Sequence, residues 1–221
     1  MVILGINASG RFVERNDEGL LVKGVTEEIV KFVLKNTGEP IEYVSLSGKC
    51  IMGCQGCLLY APDNICKVED DWAEIKDRML EADAVVFGAP VYYGTINAIG
   101  HAFLERLFSL RHRESFGLTG KPNVIITTGT EEPNKAEDYI RTIFKSNYMT
   151  EPVGVLHTRG ISQCYTCGFG ENCAAGSVVA RHGFLDEIIG YHITRIPQDT
   201  YQRAQVIAKR LGSVVRNLKK P

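Results

Sequence analysis

Short apolar runs rich in Val and Ile alternate along the chain with longer segments whose apolar residues recur every three or four positions. Runs of the first kind predict buried strands, and segments of the second kind predict amphipathic helices. The predicted strands are residues 2–9, 41–47, 84–90, 123–129 and 153–158. The predicted helices are residues 22–33, 70–81, 99–110, 136–148 and 204–218.

This alternation predicts the α/β class: one doubly wound, five-stranded parallel sheet with right-handed crossovers and helices on both faces. No Gly/Ser-rich or Pro-rich linker divides the chain, so residues 1–221 are expected to form a single domain. Two cysteine-rich loops, 50–66 and 164–173, are inserted into it. In such sheets ligands bind beyond the carboxyl ends of the strands, which makes the loops at that edge the candidate site.

Composition and charge narrow the class of protein. Hydrophobic residues make up 44% and charged residues 23% of the chain, which is typical of globular proteins and excludes disorder. The 25 basic and 26 acidic residues give a net charge of −1, so we expect no nucleic-acid or membrane partner. The start of the chain, MVILGINASG, has no basic segment before its apolar run and does not resemble a signal peptide. We therefore expect a cytoplasmic protein.

The loop after the first predicted strand has features of a phosphate-binding loop. Ser9, Gly10 and Arg11 place a hydroxyl, a small residue and a guanidinium before a predicted helix. Helix N-termini and guanidinium groups both bind phosphate. The chain has neither the dinucleotide fingerprint G-x-G-x-x-G nor a Walker loop at this point.

Two further loops at the same edge suit a flat aromatic ligand. The loop after the third strand carries aromatic residues and a glycine, followed by Asn97 at the start of the next helix. Its candidate residues are Pro90, Val91, Tyr92, Tyr93, Gly94 and Asn97. Thr128, Gly129 and Thr130 follow the fourth strand and would form the polar rim of a flavin ring.

Seven cysteines fall into two groups, with none elsewhere. The first group, Cys50, Cys54, Cys57 and Cys66, has the spacing C-x3-C-x2-C-x8-C in the loop after the second strand. Four thiolates can hold an iron–sulfur cluster or structural zinc. Because three of the four are bunched, rather than arranged as two separated pairs, the spacing favours an iron–sulfur cluster.

The second group, Cys164, Cys167 and Cys173, follows the fifth strand and has no fourth cysteine nearby. His157 or His182 could complete a zinc site, and a second cluster is a further interpretation. A thiol from the first loop could serve as the fourth ligand instead, and redox-inert thiols remain open. Cys164 and Cys167 could also form a dithiol–disulfide pair, but they do not open a predicted helix as a thioredoxin-like motif should.

Taken together, these loops resemble the iron–sulfur flavoprotein branch of the NADPH-dependent FMN reductase superfamily. The resemblance covers about residues 1–130 and is carried by four stretches of sequence. They are Cys66 to Asp71, Ala82 to Gly94, Phe103 to Arg106 and Gly120 to Pro122. The three-residue gap between Cys50 and Cys54, and the insert Phe12 to Gly19, differ from the usual family pattern.

The resemblance implies a flavodoxin-like fold, with FMN held by the loops after the first, third and fourth strands and its phosphate near Ser9 and Arg11. It implies a [4Fe–4S] cluster on the first cysteine group and assembly as a homodimer or tetramer. It also implies electron transfer between a one-electron donor such as ferredoxin, the cluster, FMN and a small-molecule acceptor.

Two other classes of function fit parts of the pattern. One is an NAD(P)H-dependent flavin or quinone reductase whose cysteine loops hold structural zinc. The other is a zinc-stabilised binding domain without flavin. The metal and flavin content of the purified protein distinguishes all three hypotheses.

Overall fold

The computed structural model describes residues 1–11, 24–113, 116–130, 132–193 and 196–218. Five parallel strands form the sheet in the order β2-β1-β3-β5-β6, and a short strand β4 pairs antiparallel with the end of β3. The strands are β1 Ile3–Asn7, β2 Ile41–Ser45, β3 Ala84–Tyr92, β4 Thr95–Ile96, β5 Asn123–Thr128 and β6 Gly154–Thr158. If β4 is left out and the five parallel strands are renumbered along the chain, their order in the sheet is 2-1-3-4-5. This is the flavodoxin-like order.

Helices cover both faces of the sheet. They are α1 Val25–Lys35, α2 Trp72–Glu81, α3 Ala98–Arg106, α4 Asn134–Ser146, α5 Ser177–His182 and α6 Gln198–Asn217. The buried residues of α1 and α6 form one core with one face of the strands, and those of α2, α3 and α4 form a second core with the other face. The predicted doubly wound parallel sheet is confirmed.

Most element boundaries differ from the predicted ones by a few residues, and the first helix differs most. Helix α1 begins at Val25, after Gly24 in an extended conformation, so the predicted start at residue 22 is wrong in position. The predicted helix over 99–110 divides into α3 and a 3₁₀ turn at Leu107–Leu110. The insert Phe12 to Gly19 lies outside the described residues.

The structure adds two elements that the sequence pattern did not predict. Strand β4 has only two residues and α5 only six, so neither is long enough to produce a periodic signal. Within the described ranges, no helix is both long and apolar enough to cross a membrane.

Candidate functional site

A cavity of about 530 Å³ lies at the carboxyl ends of β1, β3, β5 and β6. Its lining includes nine of the predicted cofactor-binding residues: Ser9, Arg11, Pro90, Val91, Tyr92, Tyr93, Thr128, Gly129 and Thr130. These residues come from three separate loops, but the carboxyl ends of parallel strands lie at the same edge of the sheet. The loops therefore meet there, as expected.

The loop after β1 is held by its own side chains. The amide of Ser9 donates to Oδ1 of Asn7 over 3.1 Å, and the amide of Arg11 donates to Oγ of Ser9 over 3.4 Å. Nη2 of Arg11 donates to the carbonyl of Ile161 over 3.2 Å. The guanidinium therefore bridges the loops after β1 and β6 and contributes positive charge to the cavity wall.

The N-terminus of α1 forms another part of the wall; the sequence reasoning expected a helix N-terminus near the phosphate but did not name its residues. Gly24, Val25 and Thr26 line the cavity, and among the described residues no side chain caps the helix. The first N–H groups of a helix have no partner within it and attract anions. Oγ1 of Thr26 lies 2.6 Å from Oγ1 of Thr128, which ties the helix start to β5. The available signal was the sequence Gly24-Val25-Thr26 before an apolar-periodic segment.

Tyr92 and Tyr93 belong to a tight hairpin between β3 and β4. Tyr93 (φ 54°) and Gly94 (φ 75°) both lie in the left-handed region, as the two central residues of a type I′ turn do. Tyr93 is 99% exposed and Tyr92 is 45% exposed at the mouth of the cavity. Gly94 lies outside the lining residues and supports the turn rather than the cavity floor.

Asn97 also lies outside the lining residues. It is buried at the N-cap of α3, where its Nδ2 donates to the carbonyl of Ala8 over 2.6 Å. Its role in the structure is therefore to join α3 to the loop after β1, and the predicted direct contact with a ligand is not seen in the geometry of the cavity.

The loop after β5 approaches the end of β3 very closely. A Cβ atom on Gly129 would lie 3.1 Å from Cβ and 3.2 Å from the carbonyl oxygen of Val91. This separation is shorter than most Cβ contacts in proteins, so a larger residue would displace one of the two loops. The amide of Gly160 donates to the carbonyl of Gly129, which joins the loop after β6 to this wall.

The loop after β6 completes the cavity, and the sequence reasoning did not include it. The additional lining residues are Gly160, Ile161, Ser162, Gln163 and, from the start of α5, Ser177. The edge rule applied to the fifth strand would have found the first four. Only the tertiary fold brings Ser177 to the same wall.

Three thiols of the first cysteine group line one small cavity, although within the described chain they are not arranged to hold a metal ion. Cys54, Cys57 and Cys66 line a small cavity together with Tyr60 and Arg106. Burial raises the pKa of Tyr60, and the neighbouring Cys54 thiol adds to the effect. The ring of Tyr60 is buried and packs edge-on against His112, with ring centroids 5.3 Å apart. Cys50 is outside this cavity and lies against the start of α2, where its amide donates to Oδ2 of Asp71 over 2.7 Å.

A buried ion pair anchors the cysteine loop to α3. Nη1 of Arg106 donates to Oδ2 of Asp70 over 2.7 Å, and both side chains are 1% exposed. Arg106 also donates to the carbonyls of Met52 and Val68, while the amide of Met52 donates to Asp70. Oδ1 of Asp70 also accepts a hydrogen bond from the amide of Trp72 at the start of α2, so one carboxylate joins the helix start to the cysteine loop.

Two buried polar atoms in this region have no hydrogen-bond partner within the described chain. They are Nε of Arg106 and the hydroxyl of Tyr60. Both residues line the cavity formed by the three thiols. Buried N–H and O–H groups are normally satisfied, so unpartnered donors beside thiols indicate a missing acceptor.

The second cysteine group borders the large cavity. Cys164 and Cys173 are partly buried and Cys167 is exposed. His157 contacts Oγ1 of Thr127 over 2.9 Å, and His182 contacts the hydroxyl of Tyr165 over 3.0 Å. Across the described parts of the chain, no three His, Cys, Asp or Glu side chains are arranged to hold a metal ion. The structure thus does not bring either histidine into the zinc site considered from the sequence.

Hydrogen bonds to the Cys164 side chain favour its thiolate. The hydroxyl of Ser162, followed by the hydroxyl and amide of Ser177, lowers the pKa of Cys164 to about 7. Both serines line the large cavity. Cys164 therefore lies next to two residues of the cavity wall, which favour its thiolate form.

Comparisons with known proteins agree with this geometry. The profile of the NADPH-dependent FMN reductase family matches residues 1–158. An iron–sulfur flavoprotein of Archaeoglobus fulgidus is 31% identical over 139 residues, which are 62% of this chain and 57% of that protein. One of Methanocaldococcus jannaschii is 29% identical over 143 residues, 65% of this chain and 69% of that protein.

Structural similarity extends further than sequence similarity. The crystal structure of RosB with the bound intermediate 8-demethyl-8-formylriboflavin-5′-phosphate superposes with a TM-score of 0.65 at 16% identity. It covers 99% of this chain and 80% of that chain, and at this identity it demonstrates the fold alone. The chain spans little more than half the length of the first curated relative. By its sequence profile and its fold, this chain belongs to the NADPH-dependent FMN reductase family of flavin-dependent oxidoreductases and resembles the iron–sulfur flavoproteins within it.

Proposed function

We propose that this protein is an electron-transfer oxidoreductase that binds FMN in the large cavity and a [4Fe–4S] cluster on the first cysteine loop. The observation that carries the proposal is the presence, on one fold, of two separate sites. One is a cavity at the strand ends with an uncapped helix N-terminus, and the other is a group of three thiols beside unpartnered buried donors.

The cavity fits the phosphate of FMN at the end nearest α1. The N–H groups of Val25 and Thr26, the hydroxyl of Ser9 and the guanidinium of Arg11 are donors on this part of the wall. A helix N-terminus and an arginine together supply the charge and the hydrogen bonds that a phosphate dianion requires. We place the phosphate there.

The isoalloxazine ring would lie between the Tyr92–Tyr93 hairpin and the loop from Thr128 to Thr130. The hairpin provides aromatic surface at the mouth of the cavity, and the second loop provides hydroxyl and backbone groups for the polar edge of the ring. Bound FMN supplies one-electron and two-electron redox chemistry at this site. The protein contributes position, exclusion of water and hydrogen bonds.

The donor set around the three thiols fits an iron–sulfur cluster. Cys54, Cys57 and Cys66 are the proposed ligands that share one cavity, and Cys50, in the same loop, is the proposed fourth ligand. Nε of Arg106 and the hydroxyl of Tyr60 could donate to cluster or ligand sulfur atoms. Such hydrogen bonds, together with burial, set the potential of a cluster.

The surface of the cysteine loop supports contact with a redox partner. Its exposed apolar side chains are Met52, Leu58, Leu59 and Ile65. An apolar surface around a redox centre suits a protein that docks transiently, and we extend the proposal to a one-electron donor such as ferredoxin with a small molecule as the final acceptor. Assembly as a homodimer or tetramer stays a prediction for size measurement in solution.

Cofactor content tests the proposal directly. The protein should be purified without oxygen, and FMN, iron, acid-labile sulfide and zinc should be measured per chain. We expect one FMN with about four irons and four sulfides. FMN with zinc and no iron would replace the proposal with the NAD(P)H-dependent reductase, and absence of both flavin and iron would contradict it.

A cysteine variant identifies the cluster ligands separately from the flavin. Cys57→Ser removes one of the three convergent thiols and should lose iron while FMN remains bound. Cys173→Ser is the matched control, because it removes a thiol from the other group and should retain full iron. Stoichiometric iron in Cys57→Ser would show that the cluster assignment is wrong.

A further inference from the structure

We propose that Cys164 and Cys167 form a thiol–disulfide exchange site at the wall of the large cavity. Cys164 is the attacking thiol, Cys167 is the resolving thiol, and the substrates are disulfides of small thiols. The site is independent of the first cysteine loop and goes beyond the proposed flavin and cluster chemistry.

The two cysteines lie close together in the fold. Cys164 is in the 3₁₀ turn Gln163–Tyr165, and Cys167 follows the end of that turn by two residues. The thiol of Cys167 donates to the carbonyl of Cys164 over 3.5 Å, so its side chain lies against the backbone of Cys164.

The turn is anchored by the residue between the two cysteines. Tyr165 is 7% exposed, and its hydroxyl contacts Nε2 of His182 over 3.0 Å. On the other side, the backbone of Gly170 packs so tightly that a Cβ there would lie 1.9 Å from the carbonyl oxygen of Cys164. The segment between the thiols is therefore held by contacts on both sides.

Hydrogen bonds select Cys164 as the nucleophile. The amide of Cys164 donates to Oγ of Ser162 over 3.2 Å, and Oγ of Ser177 lies 2.5 Å from that same oxygen. Ser162 first, and then Ser177, lower the pKa of the Cys164 thiol to about 7. A thiol with a pKa near ambient pH is the most effective attacking group in disulfide exchange.

The neighbourhood of the turn gives a substrate access. Ser162, Gln163 and Ser177 all line the cavity, and Cys167 is exposed. Because FMN is assigned to the cavity itself, a small disulfide would approach Cys164 from the solvent, on the side of the exposed Cys167. The product thiols would leave by the same side.

The chemistry balances as two exchange steps. The thiolate of Cys164 attacks one sulfur of a substrate RSSR, so the substrate S–S bond breaks, a Cys164–SR bond forms and RS⁻ leaves and takes a proton. Cys167 then loses its proton and attacks Sγ of Cys164, which releases the second RSH. The protein dithiol is oxidised to a disulfide, and one RSSR is reduced to two RSH.

The test uses the purified protein as it is isolated, with glutathione disulfide as the probe, under anaerobic conditions at pH 7. Free thiols are blocked with iodoacetamide and the peptides are analysed by mass spectrometry. We expect an intramolecular Cys164–Cys167 disulfide in the natural sequence. Cys167→Ser should instead accumulate one glutathione per chain, attached to Cys164.

Two controls separate this site from general thiol reactivity and from misfolding. Cys173→Ser should form the disulfide as the natural sequence does, and FMN absorbance with circular dichroism should be unchanged in both variants. Ser162→Ala should slow the reaction of Cys164 at pH 7 by about threefold, because it removes the leading hydrogen bond to the thiolate.

Three results would overturn the inference. They are a Cys164–Cys173 disulfide in place of the expected pair, glutathione attached to Cys173 rather than Cys164 in Cys167→Ser, and stoichiometric zinc retained by these cysteines. Because thiol labelling does not depend on flavin or iron, each result is distinguishable from failure of the proposed cofactor assignment.

Discussion

Arg106 and Asp70 form an ion pair over 2.7 Å, with both side chains 1% exposed, at the base of the first cysteine loop. The guanidinium also lies 4.7 Å from the ring of Trp72. Through this pair, α3 and the segment before α2 hold the loop that carries the thiols, so the geometry of the candidate cluster site depends on a buried interaction between elements distant in the sequence.

We expect Arg106→Met to lower the free energy of unfolding by about 3–5 kcal/mol, because it leaves the Asp70 carboxylate buried without its cation. Urea denaturation followed by fluorescence measures this, since Trp72, the single tryptophan, packs against Arg106. The double variant Arg106→Met with Asp70→Asn should recover part of the loss. Equal stability of Arg106→Met and the natural sequence would contradict a structural role for the pair.

The same carboxyl group predicts a pH dependence of stability. Burial alone would raise the pKa of Asp70, but hydrogen bonds from Arg106 and from the amides of Met52 and Trp72 outweigh it, so the pKa is lowered. Because the folded pKa lies below the unfolded value of about 3.9, the stabilisation is complete above about pH 4 and is lost as pH falls through the folded pKa.

We therefore expect the difference in unfolding free energy between the natural sequence and Asp70→Asn to be largest near neutral pH. It should shrink as the pH falls below about 4, where the natural carboxyl group takes up its proton. Denaturation of both proteins near neutral pH and below about pH 4 measures this difference. A difference that is constant with pH would mean that Asp70 does not titrate as the geometry requires.

Arg11→Gln should weaken FMN binding by about 10- to 100-fold, the effect of removing one charged hydrogen bond worth about 1.5–3 kcal/mol. Riboflavin has no phosphate and serves as the matched ligand, so its affinity should change little. Flavin fluorescence titration of the apoprotein measures both. If the affinities for FMN and riboflavin fell equally, Arg11 would not be the residue that binds the phosphate.

Gly94→Val should weaken FMN binding by about tenfold, because a β-branched residue is strained by about 1–2 kcal/mol at the positive φ of the hairpin turn. The displaced hairpin carries Tyr92 and Tyr93 at the mouth of the cavity. Gly94→Asn is the control, since asparagine tolerates this conformation and should bind FMN nearly normally. If both variants bind FMN alike, the turn conformation does not govern the site.

The sequence by itself determined the sheet, the order of its elements along the chain and the edge at which ligands bind. Runs of β-branched residues and helical periodicity are local patterns, and a parallel sheet brings its loops to one edge whatever their sequence. For that reason the sequence alone was enough to assign Ser9, Tyr92 and Thr128 to one site.

Only the tertiary structure decided which side chains meet across distant segments. The unusual gap between Cys50 and Cys54 sets the two apart in the sequence but does not say where either lies. In the structure, Asp71 holds the Cys50 amide at the start of α2, while Cys54 lines the small cavity with Arg106.

The second cysteine group shows the same limit. Hydrogen bonds from Ser177, thirteen residues along the chain, help to distinguish Cys164 from its neighbours. These outcomes depend on how helices pack against loops. Such packing depends on the burial of many residues at once, and it produces no periodic pattern in the sequence.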